Sequence, residues 1–293
     1  MNIDSALIRS KLVSQAYHLL GSIADAEDIV QDVLEAWQSI SPDQIVSPNA
    51  YLHRSVANRS FNRLKEMKRS RNHYPGTWLP SPIPSTSEHP HLQDQTYHVS
   101  MGLLVIMEIL TPAERTVFVL REVFDWAYES IGQIVGKSET NCRQINRRAQ
   151  AKIHQQSPVQ GLPPEVLSPL LEAFQSGIES GNLDPLLNLL QEDVVFLSDG
   201  GGKVPAAQKP LYGKSTVSKF LKGIQRQLPA DSQFVLSKLN ETVALIIRDG
   251  RGKVASVMSV DFSQNGRIKS VYIMRNPDKL AHLNSQDQKN PTE

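Results

Sequence analysis

Apolar positions recur at helical spacing through the first 72 residues. Ile8, Leu12, Ala16 and Leu19 share one face of residues 5–20, and Gly21 follows as a stop, which predicts a helix with a glycine end. Over 24–37, Ala26, Ile29, Val30, Val33, Leu34 and Trp37 form an inner stripe, while Asp25, Asp28, Asp32 and Glu35 gather on the outer face. Ser47-Pro48 supplies an N-cap with proline at the first helical position, and opens a third helix with Leu52, Val56, Phe61 and Leu64 inward. The pattern then breaks. Residues 74–98 hold five prolines and no periodicity, which predicts a partly extended linker. Helical spacing returns over 99–154 and breaks again at 157–165 (SPVQGLPPE).

The end of the second helical block carries the sharpest signal. At about 100° per residue, Cys142, Ile145, Ala149 and Ile153 form a core stripe; Thr140, Gln144, Arg147 and Ala151 lie opposite, flanked by Arg143 and Arg148. The preceding segment is expected to pack Ala127, Ile131, Ile134 and Val135 inward and to stop at Gly136, and Ser138 caps the next helix. This pattern predicts a helix-turn-helix with a basic, major-groove-reading face. The plainer alternative is a helical hairpin with a solvated basic face.

The last third changes character. Helical patterns at 165–181 and 183–191 precede a short strand at 194–197 (VVFL), a loop at 198–203 (SDGGGK) and a helix across 215–228. Four strand-like runs follow, FVLSKL, TVALIIRD, KVASVMSVDF and RIKSVYIM, separated by Asn240, Asp249-Gly250 and Asn265-Gly266. Helices followed by an antiparallel meander predict an α+β domain with a curved sheet around helices. The fold class is therefore multidomain: two all-α domains, then an α+β domain.

Charge changes the picture more than composition does. Hydrophobic content is 40% and formal net charge +1, so nucleic acid binding has to come from local patches. Such patches exist. Leu12 to His53 holds six acidic residues and no Lys or Arg, whereas Arg54 to Arg71 holds seven basic residues against Glu66. The first segment suits a basic partner and the second a nucleic acid, although cations near a helix C-terminus are also favoured by its dipole alone. Cys142 is the one cysteine, which excludes an internal disulfide and a multi-cysteine zinc site and fits a reducing cytosol. No apolar run reaches the roughly 18–20 residues of a membrane span, and the N-terminus lacks a secretion signal, so a cytoplasmic protein without membrane contact is expected. Asp199 beside three glycines could act as a general base, or the glycines could cradle an anion with Lys203; the segment after them is no helix start, which favours a connecting loop.

On these residues the chain resembles an extracytoplasmic-function (ECF) sigma factor, a promoter-reading subunit of RNA polymerase. ADAEDIVQDVLEAW (24–37) is similar to the region 2 segment that docks on polymerase, YLHRSVANRSFNRLKEMKRSR (51–71) to the −10 reader, and TPAERTVFVLREVF with the helix-turn-helix to region 4. YPGTWLPSP (74–82), DGGGK (199–203) and NPDKL (276–280) further resemble the group with a fused C-terminal SnoaL-like domain, of the nuclear-transport-factor-like cone fold. The resemblance implies region 2 over 1–73, a linker over 74–98, region 4 over 99–156, the SnoaL-like domain over 165–280 and a tail over 281–293. It implies that Asp25, Asp28, Asp32 and Glu35 face the polymerase, with the β′ clamp and β flap as partners. Asn58, Arg59, Asn62, Arg63, Lys65 and Arg69 would meet the −10 element; Ser138, Thr140, Arg143, Gln144, Arg147 and Arg148 would meet the −35 element. Asn62 stands where the family often has Asp, and Gly132 where it commonly has Ala, at a cost of up to about 1 kcal/mol of helix propensity.

For the C-terminal domain the resemblance implies regulation in cis. Trp78, Leu79 and Pro80 of the linker would be gripped by Asp199, Gly200, Gly201, Gly202, Lys203, Asn276, Pro277 and Asp278. It implies a monomer when free, no catalytic residue, no metal and no cofactor, with an unidentified small molecule as a conceivable occupant of the domain's pocket. Two other functions stay open on residues alone: a ligand-responsive DNA-binding regulator, and a SnoaL-type cyclase or isomerase with Asp199 as base. Neither needs the acidic helix.

Overall fold

The computed structural model describes residues 5–40, 45–84, 99–156, 182–263 and 265–285, and the chain divides into two compact units. No described helix is long and apolar enough to cross a membrane. The first unit takes the described residues of 1–73 and 103–158 with Pro84 and Val99; the second takes 74–83, 100–102 and those of 159–293. This differs from the expected 74–98 linker, because its first ten residues are built into the second unit. Apolar Leu79 and Ile83 are buried there (1% and 9% exposed), and that burial offsets the cost of ordering them.

In the first unit α1 (Ser5–Leu20), α2 (Ile23–Gln38) and α3 (Pro48–Ser70) pack together. Leu12, Ala16 and Leu19 of α1, Ala26, Ile29, Val30 and Val33 of α2, and Leu52, Val56, Phe61 and Leu64 of α3 are buried, as the stripes predict. Gly21 adopts φ 71° and its amide bonds the Tyr17 carbonyl, closing α1 in a left-handed turn. Leu34 and Trp37 sit only half-buried.

Region 99–156 begins with α4 (Met101–Ile106) and a 3₁₀ turn at Met107–Ile109. Helix α5 (Pro112–Phe118) starts at a capping box: Thr111 accepts from the Glu114 amide, and Glu114 accepts from the Thr111 amide at 2.9 Å. A π turn at Val119–Val123 then leads to α6 (Tyr128–Val135) and α7 (Glu139–Gln155). Ala127 is exposed, contrary to the packed position expected, because it is the N-cap of α6 rather than part of its inner face.

In the second unit the expected helix at 183–191 shrinks to α8 (Asp184–Asn188), since the chain enters β1 (Leu190–Asp199) at once. β2 (Leu211–Tyr212), α9 (Lys214–Gln227), β3 (Gln233–Leu239), β4 (Thr242–Arg248), β5 (Val254–Phe262), β6 (Ile268–Met274) and α10 (Pro277–Ser285) follow. The sheet order is β2-β1-β6-β5-β4-β3. Strands β3 to β6 form the antiparallel meander, but β1 lies parallel to β6, so the sheet is mixed. Val194 and Phe196, Leu245 and Ile247, Met258, Val260 and Phe262, and Val271 and Ile273 share one buried core with Leu186, Leu187, Val217 and Leu221 of the helices. Residues 165–181, expected as a helix, lie outside the described residues. The expected tail boundary at 280 moves too, because α10 runs on to Ser285 and buries Leu280 and Leu283.

Candidate nucleic-acid interface and linker clasp

Helices α2 and α3 pack together with their charged faces side by side, and the pairs between them run in opposite senses along the two helices. Arg63 donates to the Asp25 carboxylate at 2.6 and 2.8 Å and pairs with Glu66 at 3.4 Å; Arg59 pairs with Asp32 at 3.2 Å. The hydrogen bond that Arg63 donates to Asp25 is the main cause that raises the Arg63 pKa. Glu35 accepts from Gln31 at 2.7 Å, and Asp28 is exposed. Two of the four acidic residues assigned to a partner are thus ion-paired to arginines assigned to DNA, which spacing within either helix could not reveal. Asn58 is half-buried, while Arg59, Asn62, Arg63, Lys65 and Arg69 are exposed. Lys65 lies 3.9 Å from the Phe61 ring centroid and donates to Asn62 at 3.3 Å.

Helix α7 is built as the sequence predicts. Ser138 accepts from the Asn141 amide at 3.3 Å, and Gly136 takes φ 68° at the turn before it. Cys142, Ile145, Ala149 and Ile153 are buried, and burial raises the Cys142 thiol pKa. Ser138, Thr140, Arg143, Gln144, Arg147 and Arg148 are all exposed on the other side. Sequence reasoning missed the support beneath Arg143. Its guanidinium lies 4.7 Å from the Tyr128 ring centroid and pairs with Glu139 at 2.5 Å, while buried Asn146 donates to the Tyr128 hydroxyl at 3.0 Å and to Glu122 at 2.6 Å.

The second unit holds a clasp around Asp199, whose side chain is fully buried at the end of β1. One carboxylate oxygen accepts from the Tyr74 hydroxyl at 2.6 Å and the Gly201 amide at 2.9 Å. The other accepts from the Leu79 amide at 2.9 Å and Lys279 Nζ at 2.7 Å. Lys279 also donates to the Leu79 carbonyl at 2.6 Å and sits 3.9 Å from the Trp78 ring centroid. Asn276 donates to the Tyr74 hydroxyl at 3.0 Å; burial and then Asp199 push the Tyr74 pKa well up. Further along, His282 donates through Nε2 to the Pro82 carbonyl at 2.6 Å, and Asn240 exchanges two bonds with Ile83, at 2.8 and 3.0 Å.

The glycine run is explained by close approach. A Cβ on Gly201 (φ 63°) would meet the Asn276 amide at 2.4 Å, and one on Gly202 would meet Pro75 at 2.6 Å. Trp78 is half-buried, and Leu79 and Pro80 are buried. Lys203 pairs with Asp278 at 2.6 Å, which takes it away from any anion cradle. Four donors likewise saturate Asp199, an arrangement that holds a segment in place and leaves no lone pair to act as a base. Tyr74, Lys279, Asn240 and His282 were missed. Tyr74 and Lys279 stand inside the quoted motifs YPGTWLPSP and NPDKL, so the motifs marked the site even where the chosen residues did not. Among the described residues no group of His, Cys, Asp and Glu could hold a metal ion.

Comparison with known proteins agrees with this layout. Residues 7–70 match Sigma-70 region 2 and residues 100–153 match Sigma-70, region 4. The chain is 29% identical over 286 residues to the ECF RNA polymerase sigma factor SigJ of Mycobacterium tuberculosis, covering 94% of this chain and 91% of that one. It is 23% identical over 216 residues to SigG of the same organism, covering 64% and 58%. The crystal structure of M. tuberculosis SigJ superposes with a TM-score of 0.76 at 26% identity, covering 95% of this chain and 97% of that one. With both sigma-70 regions in chain order and an α+β domain behind them, the chain belongs to the extracytoplasmic-function sigma factors.

Proposed function

We propose that this sigma factor joins core RNA polymerase through the acidic face of α2 and directs transcription initiation in the cytoplasm by reading two promoter elements. On this reading Asp25, Asp28, Asp32 and Glu35 meet the β′ clamp, and region 4 meets the β flap. The α3 residues Asn58, Arg59, Asn62, Arg63, Lys65 and Arg69 engage the −10 element, and α7 engages the −35 duplex through Ser138, Thr140, Arg143, Gln144, Arg147 and Arg148. The observation that carries it is the exposed face of α7, where three arginines and Gln144 stand opposite a buried apolar stripe. Arg bidentate to guanine and Gln bidentate to adenine are the expected direct contacts. The clasp supports the second half of the proposal. By holding Tyr74 to Ile83, the C-terminal domain regulates the two DNA modules in cis, with no chemistry at Asp199.

The test is promoter-directed transcription with core polymerase. Asp28→Lys with Asp32→Lys is expected to abolish capture of core enzyme. Arg143→Ala and Arg147→Ala should keep capture and lose about 10- to 100-fold in dependence on the −35 sequence, the worth of a bidentate base contact. Capture unaffected by charge reversal would remove the sigma mechanism for α2. A ligand-responsive regulator would instead select one duplex sequence tightly without polymerase and would not capture core enzyme.

A further inference from the structure

Glu108, in the 3₁₀ turn before α5, is where three cations of the first unit converge. Arg71 and Arg115 each pair with one oxygen of its carboxylate, and Lys68 Nζ donates to its main-chain carbonyl at 2.5 Å. The arginines also serve α1: Arg71 donates to the Leu20 carbonyl at 3.1 Å and Arg115 to the His18 carbonyl at 3.5 Å, at the negative end of that helix. Arg115 is 2% exposed. Burial alone would push the Glu108 carboxyl up, but Arg115, Arg71 and Lys68 outweigh it and hold the pKa below the ordinary value.

The two flanking cations belong to the basic helix. Lys68 lies in the last turn of α3 and Arg71 directly follows it, so the pair stands one turn apart at the end of the run assigned to the −10 element. An arginine fork and a lysine ammonium are the groups that hold a phosphate; here the Glu108 carboxylate takes the Arg71 guanidinium and its main-chain carbonyl takes the Lys68 ammonium. We propose that Lys68 and Arg71 form a binding site for a nucleic-acid backbone phosphate, and that Glu108 occupies this site in the free chain. DNA and the contact between α3 and the region 4 turn then compete for the same two cations. By linkage, whatever separates Glu108 from α3 raises DNA affinity by the factor with which DNA opens the contact. This inference rests on the DNA-reading role above.

The experiment measures binding of the full chain to a fluorescein-labelled 30-base-pair duplex of mixed sequence by anisotropy, across a salt series. Glu108→Gln removes the anion that pairs with Arg71, so binding should tighten about tenfold, as expected of a charge-assisted contact. The log–log salt slope should steepen by about 0.9, the increment for one added phosphate. Adding Lys68→Gln to Glu108→Gln removes one of the two groups that hold this phosphate and should take back most of the gained affinity. Should Glu108→Gln fail to fold around the buried Arg115, Glu108→Asp keeps the charge while drawing the carboxylate back, and intermediate tightening is expected. If Glu108→Gln and Glu108→Asp both bind with the affinity and slope of the parent chain, the self-occupied site does not exist. If no form binds duplex even at low salt, it is the DNA-reading role itself that fails, and this inference falls with it.

Discussion

Asp199 shows what one side chain can organise when it has no exposed surface and four donors. Lys279, 11% exposed, has its main counter-charge there, and Tyr74 and Leu79 reach the same carboxylate. Asp199→Asn keeps the shape but turns an acceptor towards two donors as a donor of its own. Removing one partner of a buried ion pair costs about 3–5 kcal/mol, and a loss of this order is expected in urea unfolding of the second unit. The Leu79 amide should lose its hydrogen-exchange protection in the same variant. Asp261 carries a different signature. Burial pushes its carboxyl up to about 6, against the lowering by the Tyr272 hydroxyl at 2.8 Å and by Lys269. A raised folded pKa means that its contribution is fully present below the ordinary 3.8 and is lost as pH rises through about 6. At 1.36 kcal/mol per pH unit the separation is worth roughly 3 kcal/mol. Asp261→Asn should therefore gain about that much stability relative to the parent chain between pH 4 and pH 7, read as the difference between their unfolding midpoints. A difference that stays flat with pH would mean that Asp261 is ionised throughout.

Elements are set by their ends as much as by their stripes, and the turn between α6 and α7 makes the point quantitatively. Gly136 has φ 68° with nothing within 4 Å of an added Cβ, so Gly136→Ala should cost only the left-handed penalty, about 1–2 kcal/mol. Gly132 has an ordinary helical backbone, and propensity alone says that Ala should help there. Yet a Cβ at Gly132 would lie 2.5 Å from the Lys137 carbonyl oxygen, a backbone atom in the turn that aims α7. Gly132→Ala is expected to lower the thermal midpoint despite the better propensity; a rise would show that the turn yields freely. Such ends also explain what was legible. The stripes of α1, α2, α3 and α7 were readable because each has one apolar face of helical period, and the meander because its strands are separated by Asn and Gly turns. The two-residue β2 leaves no period to read. The polar Gln191, Glu192 and Asp193 hid the first half of β1, and the parallel β1–β6 pairing depends on a contact between distant segments. The charged faces of α2 and α3 were each visible, but their pairing to one another was not.

At the scale of the whole molecule, the clasp holds the first part of the stretch that joins the two DNA modules. Between the end of α3 and the start of α4 the sequence offers the interval 71–100, of which 74–83 is held by the second unit through Asp199, Lys279, Asn240 and His282. The reach of a flexible connection grows with its length, so the held form should restrict the promoter spacings that both modules can satisfy together. Lys279→Ala removes a bond to the Leu79 carbonyl, the cation over Trp78 and the counter-charge of Asp199 at one stroke. With core polymerase and a set of promoters whose −10 and −35 elements differ in separation by single base pairs, the parent chain should show a narrow optimum. The Lys279→Ala form should keep the same optimum and gain output at one or two base pairs on either side. Because the comparison is between spacings for one protein, a general loss of stability would lower every promoter alike and leave the profile's width untouched. A width identical in the two forms would mean that the clasp braces the C-terminal domain and has no part in setting the separation of the promoter readers.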